Sequence, residues 1–578
     1  MKKALVAVMT FVILFACKNN IQQNELQLEG FYAPEKIIWS DQGWSDEERD
    51  YWHHLNAGQE FAPLSWVRAL ESPDTNLSLL DPIYLRGLGF LDKPVTKNNP
   101  QGLPVGFSIK PAKENGRVML GLTCASCHTG QINFKGTALR IDGASAGFNI
   151  YKFFTDFGVS LGKTFQDSAS WKRFAQKVLA EEPGGEAKLK KEVEEVMAIA
   201  AWEMEAYAKL GTASVDAGHG RMDPFNRIGN EVFGLGLREQ SNYHAANAPV
   251  GVPYLWDIAR LNWVHYNASF SQPVSRNILQ VLGNGGRTNF LDDQGNLKKG
   301  PEKWESNFDL ERLIEMEKGF ASLKAPQWPS QLLGEIDTKK AATGRALFMM
   351  NCAKCHAPRP LAGSNDLAVT EIPLHVIGTD SSEAATFINR RYNATKLLGP
   401  EATAIDGATG LQLVTSEMEK YAYKKLGWTE DQIKSLSKEN RSNVVRAKAI
   451  YKARPLDGIW STPPFLHNAS VPNIYELLSP PSERSVTFWL GSYEYDPEKL
   501  GYVNRRSPKS FHFDTRLPGN ANTGHAFTDD STTIGKIGRA LNHDERMAII
   551  EYLKALPSMP PDPYVPSKKN REGRRVRK

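Results

Sequence analysis

Cys124-Ala125-Ser126-Cys127-His128 and Cys352-Ala353-Lys354-Cys355-His356 repeat one Cys-x-x-Cys-His pattern and use four of the five cysteines in this 578-residue chain. Two thiols at this spacing, followed directly by a histidine, suit covalent attachment of a c-type haem. The thiols add to the two vinyl groups, and the histidine ligates the iron from one side. A bare Cys-x-x-Cys has two competing readings. A zinc site requires a further pair of thiolate or imidazole ligands, and a thioredoxin-like redox pair has no need of a following histidine in both copies. Two covalently bound haem c groups are therefore the expected cofactors, tethered by Cys124, Cys127, Cys352 and Cys355 and ligated by His128 and His356.

The flanking sequence separates the two copies. Asp337 and Thr338 cap a run through Gly344 and Phe348 to Met350, which predicts a helix leading into the second motif. Val118-Met119-Leu120-Gly121-Leu122, before the first motif, reads equally as strand or helix, so a less regular setting is expected there. Ser45 and Glu48 form a capping box for a helix over 45–55, and Trp44, Trp52 and Trp66 indicate that this region packs. Helical spacing marks 187–210, and a closing helix is expected over 544–556. The predicted fold is mainly α, with two cytochrome c-like haem domains, long loops and few short strands. Its expected divisions are a signal peptide (1–16), a lipidated tether and N-terminal extension (17–95, with 18–40 the tether itself), an N-terminal haem domain (96–330), a C-terminal haem domain (331–566) and a basic disordered tail (567–578). The proline-rich stretch from Pro326 to Pro329 marks the inner boundary.

Lys2 and Lys3, an apolar run from Ala4 to Ala16 and then Cys17 read as an export signal, too short for a spanning helix. Leu14-Phe15-Ala16-Cys17 is similar to a bacterial lipoprotein cleavage box, with Phe15 bulkier than usual, so Cys17 is the expected lipidation site. The expected location is the periplasm or cell envelope, with the lipid as the only membrane anchor. The formal charge is +5, but without Lys2, Lys3 and the tail, 61 basic face 64 acidic residues, so no nucleic-acid partner is implied.

An iron held by one histidine has one axial position left, and its occupant separates electron transfer from chemistry. The loop Gly519-Asn520-Ala521-Asn522-Thr523-Gly524-His525 lies shortly before the closing helix, so His525 is assigned as the distal ligand of the second haem. Met418, Met547 and Met559 are the alternatives. His219, Met222, His244 and His265 fall in the corresponding span for the first haem, but none occupies a comparable loop. The preferred reading is an iron there that is five-coordinate or holds only water.

These residues resemble the dihaem cytochrome c peroxidase superfamily, and within it the branch of the haem-dependent rubber oxygenases. The likeness extends over nearly all of the mature chain. It is carried most specifically by Asn98 to Phe107, Gly121 to Gly130, Ala248-Pro249-Val250 through Asn262-Trp263-Val264, and Arg454 to Trp460 through Pro464 to Pro472. The resemblance implies a bis-histidine electron-transfer haem in the C-terminal half and an open catalytic haem in the N-terminal half. It also implies a tryptophan coupling the haems, for which Trp263 matches best and Trp256 competes. Phe270 and Ile278 would line an apolar distal pocket, and His265 stands where the family more often has glutamine. His467 would act structurally, and Arg454 and Arg227 would neutralise haem propionates.

Two functions follow. In the first, an oxidoreductase, His128 and Trp263 serve catalysis, peroxide or O2 is the oxidant, and a small redox-protein donor or an apolar organic substrate is the partner; peroxidase and dioxygenase chemistry both fit. In the second, the chain is a non-catalytic dihaem electron-transfer lipoprotein. A calcium ion between the domains is an open addition to the cofactors.

Overall fold

The computed structural model describes residues 34–111, 116–182, 184–361, 366–436, 443–507 and 510–556. The expected signal peptide, Cys17 with its lipidation, most of the tether, Met559 and the basic tail lie outside the described residues.

Local signals place several helices where the sequence puts them. Ser45 Oγ accepts from the Glu48 amide at 3.2 Å, and the Glu48 carboxylate accepts from the Ser45 amide at 2.8 Å. This reciprocal cap opens the helix Asp46–His54. The helix Glu186–Ala208 takes in all but the last two residues of the helical spacing read over 187–210. A second capping box, of Asn542 and Glu545, opens the closing helix His543–Ala555.

The ambiguous run before the first motif is a strand. Val118–Leu122 pairs antiparallel with Phe107–Pro111, and Ala62–Pro63 pairs with part of its other edge. A Cβ on Gly121 would come within 2.3 Å of the Gln59 carbonyl oxygen, so the chain passes here only as glycine. After the motif, Thr129–Phe134 and Thr137–Asp142 form an antiparallel hairpin. Lys36–Trp39 adds to it as a parallel third strand, although these residues fall in the stretch read as tether. Ile37, Ile38 and Trp39 suit a pleated surface, and they cover what would otherwise be an open edge along Thr137–Arg140.

Around the second motif, the helix Thr338–Asn351 crosses His543–Ala555 so closely that a Cβ on Gly344 would meet the Ala548 carbonyl oxygen at 1.8 Å. Two of the buried cores draw on both sides of residue 330. One joins Leu55 and Phe225 to Phe387, Leu411 and Met418. Another joins Ile132 and Trp256 to Phe348, Trp460 and Ile549. The two motif-bearing segments therefore share core. No helix among the described residues is long and apolar enough to cross a membrane.

Candidate functional site

Thr338–Asn351 ends directly at the second motif, which closes into one turn with the His356 amide donating to the Cys352 carbonyl at 2.9 Å. His356 Nδ1 lies 2.8 Å from the Arg454 carbonyl oxygen. That contact keeps the ring proton on Nδ1 and leaves the Nε2 lone pair free for a metal. Facing it, the His525 ring stands 6.3 Å away, centroid to centroid. Two metal–imidazole bonds of about 2 Å, each extended by ~1 Å to the ring centre, span about 6 Å, so the pair fits one iron between them. Burial, then the neighbouring His356, pushes His525 down to about 3, which favours the neutral form that a metal would require.

The His525 loop is clasped from outside. Arg484 donates to the carbonyls of Gly524 and His525, both at 2.9 Å, and the His525 amide donates to the Ile377 carbonyl at 2.9 Å. His525 itself sits at φ 42, and a Cβ on Gly524 would come within 2.2 Å of the Gly378 carbonyl carbon. Nothing around Arg484 in the sequence marks it for this task. Its partners are backbone oxygens about 40 residues away.

The first motif rests on the backbone of Gly106, where a Cβ would lie 2.1 Å from the Ser126 amide nitrogen. Thr123 Oγ1 donates to the His53 carbonyl at 2.9 Å, which ties the motif to the helix Asp46–His54. Burial, then the positive charge of Arg276, pushes His128 down to about 3. His128 Nδ1 is buried without a hydrogen-bond partner, and the Pro253 carbonyl approaches the ring without forming a good hydrogen bond. The described residues set no second imidazole against His128 in the way that His525 is set against His356.

The residues present fit haem c at both places. Cys124, Cys127, Cys352 and Cys355 are all free thiols. Among the described residues no group of three or more His, Cys, Asp or Glu side chains is arranged to hold a metal ion, so neither thiol pair finds the further ligands of a zinc site. Cys124, His128 and His356 lie deep, with desolvation the main influence on each, yet each keeps some accessible surface. Buried cations also collect here, and among the described residues Arg276 alone of them is ion-paired, with Glu317. Lys452 is driven well below its usual range by burial and by Arg454, and Arg276 Nη1 and Arg454 Nε are buried without partners. Glu383, the acidic group beside Lys452, is itself raised to about 8 by burial, so it is a weak counter-charge. Haem propionates would supply the missing negative charge.

Arg454 links the two motifs. Its carbonyl holds His356, and its guanidinium donates to the Tyr254 and Trp256 carbonyls at 2.9 and 2.7 Å. The same guanidinium lies 3.6 Å from the Tyr254 ring centroid, and its charge bears on His128. Trp256 is fully buried and stacks on Tyr254 at 4.5 Å. Trp263 is half-buried on the neighbouring loop, with the Arg446 guanidinium 3.3 Å from its ring centroid.

The other residues singled out from the sequence spread more widely. Phe270 and Ile278 are buried, and Phe270 lies 4.6 Å from the His265 ring. His467 packs on Tyr451 at 4.1 Å. Arg227 donates to the Gly283 carbonyl at 2.9 Å and covers Phe154. His219 Nδ1 meets the Gly147 carbonyl at 2.9 Å. His244 lines a cavity of about 350 Å³ that includes no residue of either motif. Met222 lies in the short strand Arg221–Met222, Met418 in a core and Met547 against another.

Arg276 is carried by the helix Pro273–Leu282, which is anchored where Ser275 Oγ donates to the Glu419 carboxylate. Burial pushes Glu419 up to about 7 from an ordinary 4.5. A raised carboxyl contributes stability that is complete below pH 4.5 and is lost as pH rises through about 7. Glu419→Gln is expected to stabilise the protein at pH 8, by an amount approaching about 3 kcal/mol, with little gain at pH 4.5. Thermal unfolding at the two pH values checks this, and an equal difference at both would refute it.

A family profile described as "RoxA-like, cytochrome c-like" matches residues 450–489. That stretch contains Lys452, Arg454, Trp460, His467 and Arg484, the residues that hold His356 and clasp the His525 loop among them. Over the whole length, the chain is 37% identical to Uncharacterized protein y4iJ of Sinorhizobium fredii, covering 93% of this chain and 96% of that protein. The chain belongs to the y4iJ family. Uncharacterized protein y4iM of the same organism is 31% identical over 38% of this chain and 49% of its own length. The RoxA-like match makes this y4iJ-family protein cytochrome c-like over residues 450–489, implies haem c as a cofactor and points to a haem oxidoreductase.

Proposed function

We propose that this chain is an exported, lipid-anchored dihaem oxidoreductase of mainly α fold. His356 and His525 hold an electron-relaying haem, and the haem at His128 meets peroxide or O2. The 6.3 Å separation of His356 and His525, with no like partner set against His128 among the described residues, is the observation that carries this reading. Bound haem c supplies one-electron transfer and, where an axial position is open, activation of a small oxidant. The protein's own residues do the rest. Arg454 orients His356 through its carbonyl, Arg484 keeps the His525 loop closed, and buried Arg276, Lys452 and Arg454 would neutralise haem propionates. Trp263 is assigned the coupling role between the haems, with the Trp256–Tyr254 stack beneath Arg454 as the competing route. Electrons would come from a small redox protein, or an apolar organic substrate would be oxidised directly.

Haem content and cyanide titration of the full-length protein test the proposal. Two haems per chain are expected, one of them shifting its spectrum on cyanide addition and the other unchanged. Two haems that ignore cyanide in both redox states would leave an electron carrier instead. Incubation with peroxide plus a reduced cytochrome, and separately with an apolar polyene plus O2, then separates peroxidase from oxygenase activity.

A further inference from the structure

The second motif opens to the surface where the first does not. Within it Lys354 is exposed and both Cys352 and Cys355 keep accessible surface, whereas no residue from Cys124 to His128 is exposed and Cys127 is buried. Haem c is attached at these thiols, so its edge at Cys352 and Cys355 is the one nearer to solvent. Two apolar side chains stand open around that edge. Met350, two residues before Cys352, is 76% exposed, and Ile534 is 69% exposed.

Backbone contacts bring the two together. A Cβ on Gly538 would lie 3.0 Å from Asn351 Oδ1, so the strand Lys536–Gly538 runs against the residue that follows Met350. A Cβ on Gly378 would meet the Ile534 carbonyl carbon at 2.9 Å, and the adjacent Ile377 carbonyl accepts the His525 amide at 2.9 Å. Met350 therefore stands on the His356 side of the ligand pair and Ile534 on the His525 side.

The same face carries one sign of charge. From Thr338 to Leu361 the chain holds five basic residues, Lys339, Lys340, Arg345, Lys354 and Arg359, and no acidic one. Lys339, Thr343, Ala346 and Met350 recur three or four positions apart and are all exposed, while Gly344 and Phe348 turn to the closing helix. Lys536 adds an exposed cation beside Ile534. The acids nearest to Ile534 in the chain, Asp529 and Asp530, are engaged locally, accepting from the Ala540 amide at 3.1 Å and the Thr532 amide at 2.8 Å.

We propose that this face docks a small acidic redox protein, which seats an apolar patch over Met350 and Ile534 and passes one electron to the haem at His356. The inference rests on the electron-relaying haem of the function proposed above and adds where the donor binds and what charge it carries. The donor metal loses one electron, the oxidised haem gains it, and no bond or proton moves. Exposed apolar side chains at a haem edge give the close contact that transfer needs, and the surrounding cations select a negative partner and speed its encounter. Two such side chains make too small an apolar face for a bilayer.

The test is stopped-flow reduction of the oxidised, haem-loaded full chain by a reduced acidic blue-copper protein, at low and high ionic strength. It compares the wild type with Lys354→Glu, Lys536→Glu, Met350→Ser and, outside this face, Lys190→Glu. At low ionic strength each charge reversal on the face is expected to slow transfer about 3- to 10-fold, an effect that fades at high salt. Met350→Ser should slow it about 5-fold at both ionic strengths, and Lys190→Glu should match the wild type. Reduction by dithionite, too small to need a docking surface, reports that the haem at His356 is intact in each variant. Unchanged rates in Lys354→Glu and Lys536→Glu, or faster transfer from a basic donor of matched potential, would overturn this inference and leave the proposed function standing. Weaker binding of these variants to anionic vesicles, with transfer unchanged, would make the face a membrane contact and overturn it as well. A haem at His356 that dithionite does not reduce would remove the electron relay itself, and with it both readings.

Discussion

A His525→Ala protein is expected to lose the low-spin signature of the haem at His356 while the ligand response of the haem at His128 stays that of the wild type. The loop should keep its shape without the imidazole, because its backbone is held independently. Arg484 donates to the Gly524 and His525 carbonyls at 2.9 Å, and the residue 525 amide donates to the Ile377 carbonyl at the same distance. The substitution therefore leaves a ring-sized gap 6.3 Å from the His356 centroid, and free imidazole added to the variant should restore the low-spin spectrum. Optical and electron paramagnetic spectra with and without imidazole provide the measurement. A variant with an unchanged spectrum would remove His525 as ligand and bring Met418 or Met547 back into consideration.

The second large effect is structural. Gly344→Ala places a methyl group where the Ala548 carbonyl oxygen lies 1.8 Å away and its carbon 2.4 Å away. Both atoms belong to the backbone of the helix His543–Ala555, so no side-chain rotation relieves the clash, and the two helices must separate. Overpacking of this kind destabilises by about 1–3 kcal/mol when neighbours can shift, and by more when they are helix backbones. The same crossing packs Phe348 against Tyr552 at 5.0 Å and ends at Cys352, so separation also displaces the second motif. Gly344→Ala is expected to lower the unfolding temperature and to yield protein carrying less than its full haem complement, the deficit falling on the haem at His356. Full haem content with an unchanged melting curve would show that the crossing tolerates a side chain.

Short-range chemistry was the legible part. Both Cys-x-x-Cys-His motifs, the Ser45–Glu48 capping box and the helix capped by Asp337 depend on residues within a few positions of one another. The strand Val118–Leu122 was ambiguous because five apolar or small residues satisfy either period, and its pairing with Phe107–Pro111 decided it. The tether reading of residues 18–40 missed the strand Lys36–Trp39 because its partner, Thr137–Arg140, lies about 100 residues on. Arg454 stands out in the sequence for its charge. Its carbonyl oxygen orients His356, and every residue has such an oxygen, so its side chain gave no sign of that use.

By itself the sequence determined what contiguous residues can express: two Cys-x-x-Cys-His motifs and a glycine-rich loop ending in His525. Only the tertiary structure decided which groups meet. It set His525 against His356, gathered Arg276, Lys452 and Arg454 around the motifs, and turned His265 inward beside Gln280. The physical reason is range: caps and covalent motifs form between residues that are neighbours along the chain, whereas a ligand pair or a buried cation cluster depends on distances set by cores packed from both halves at once.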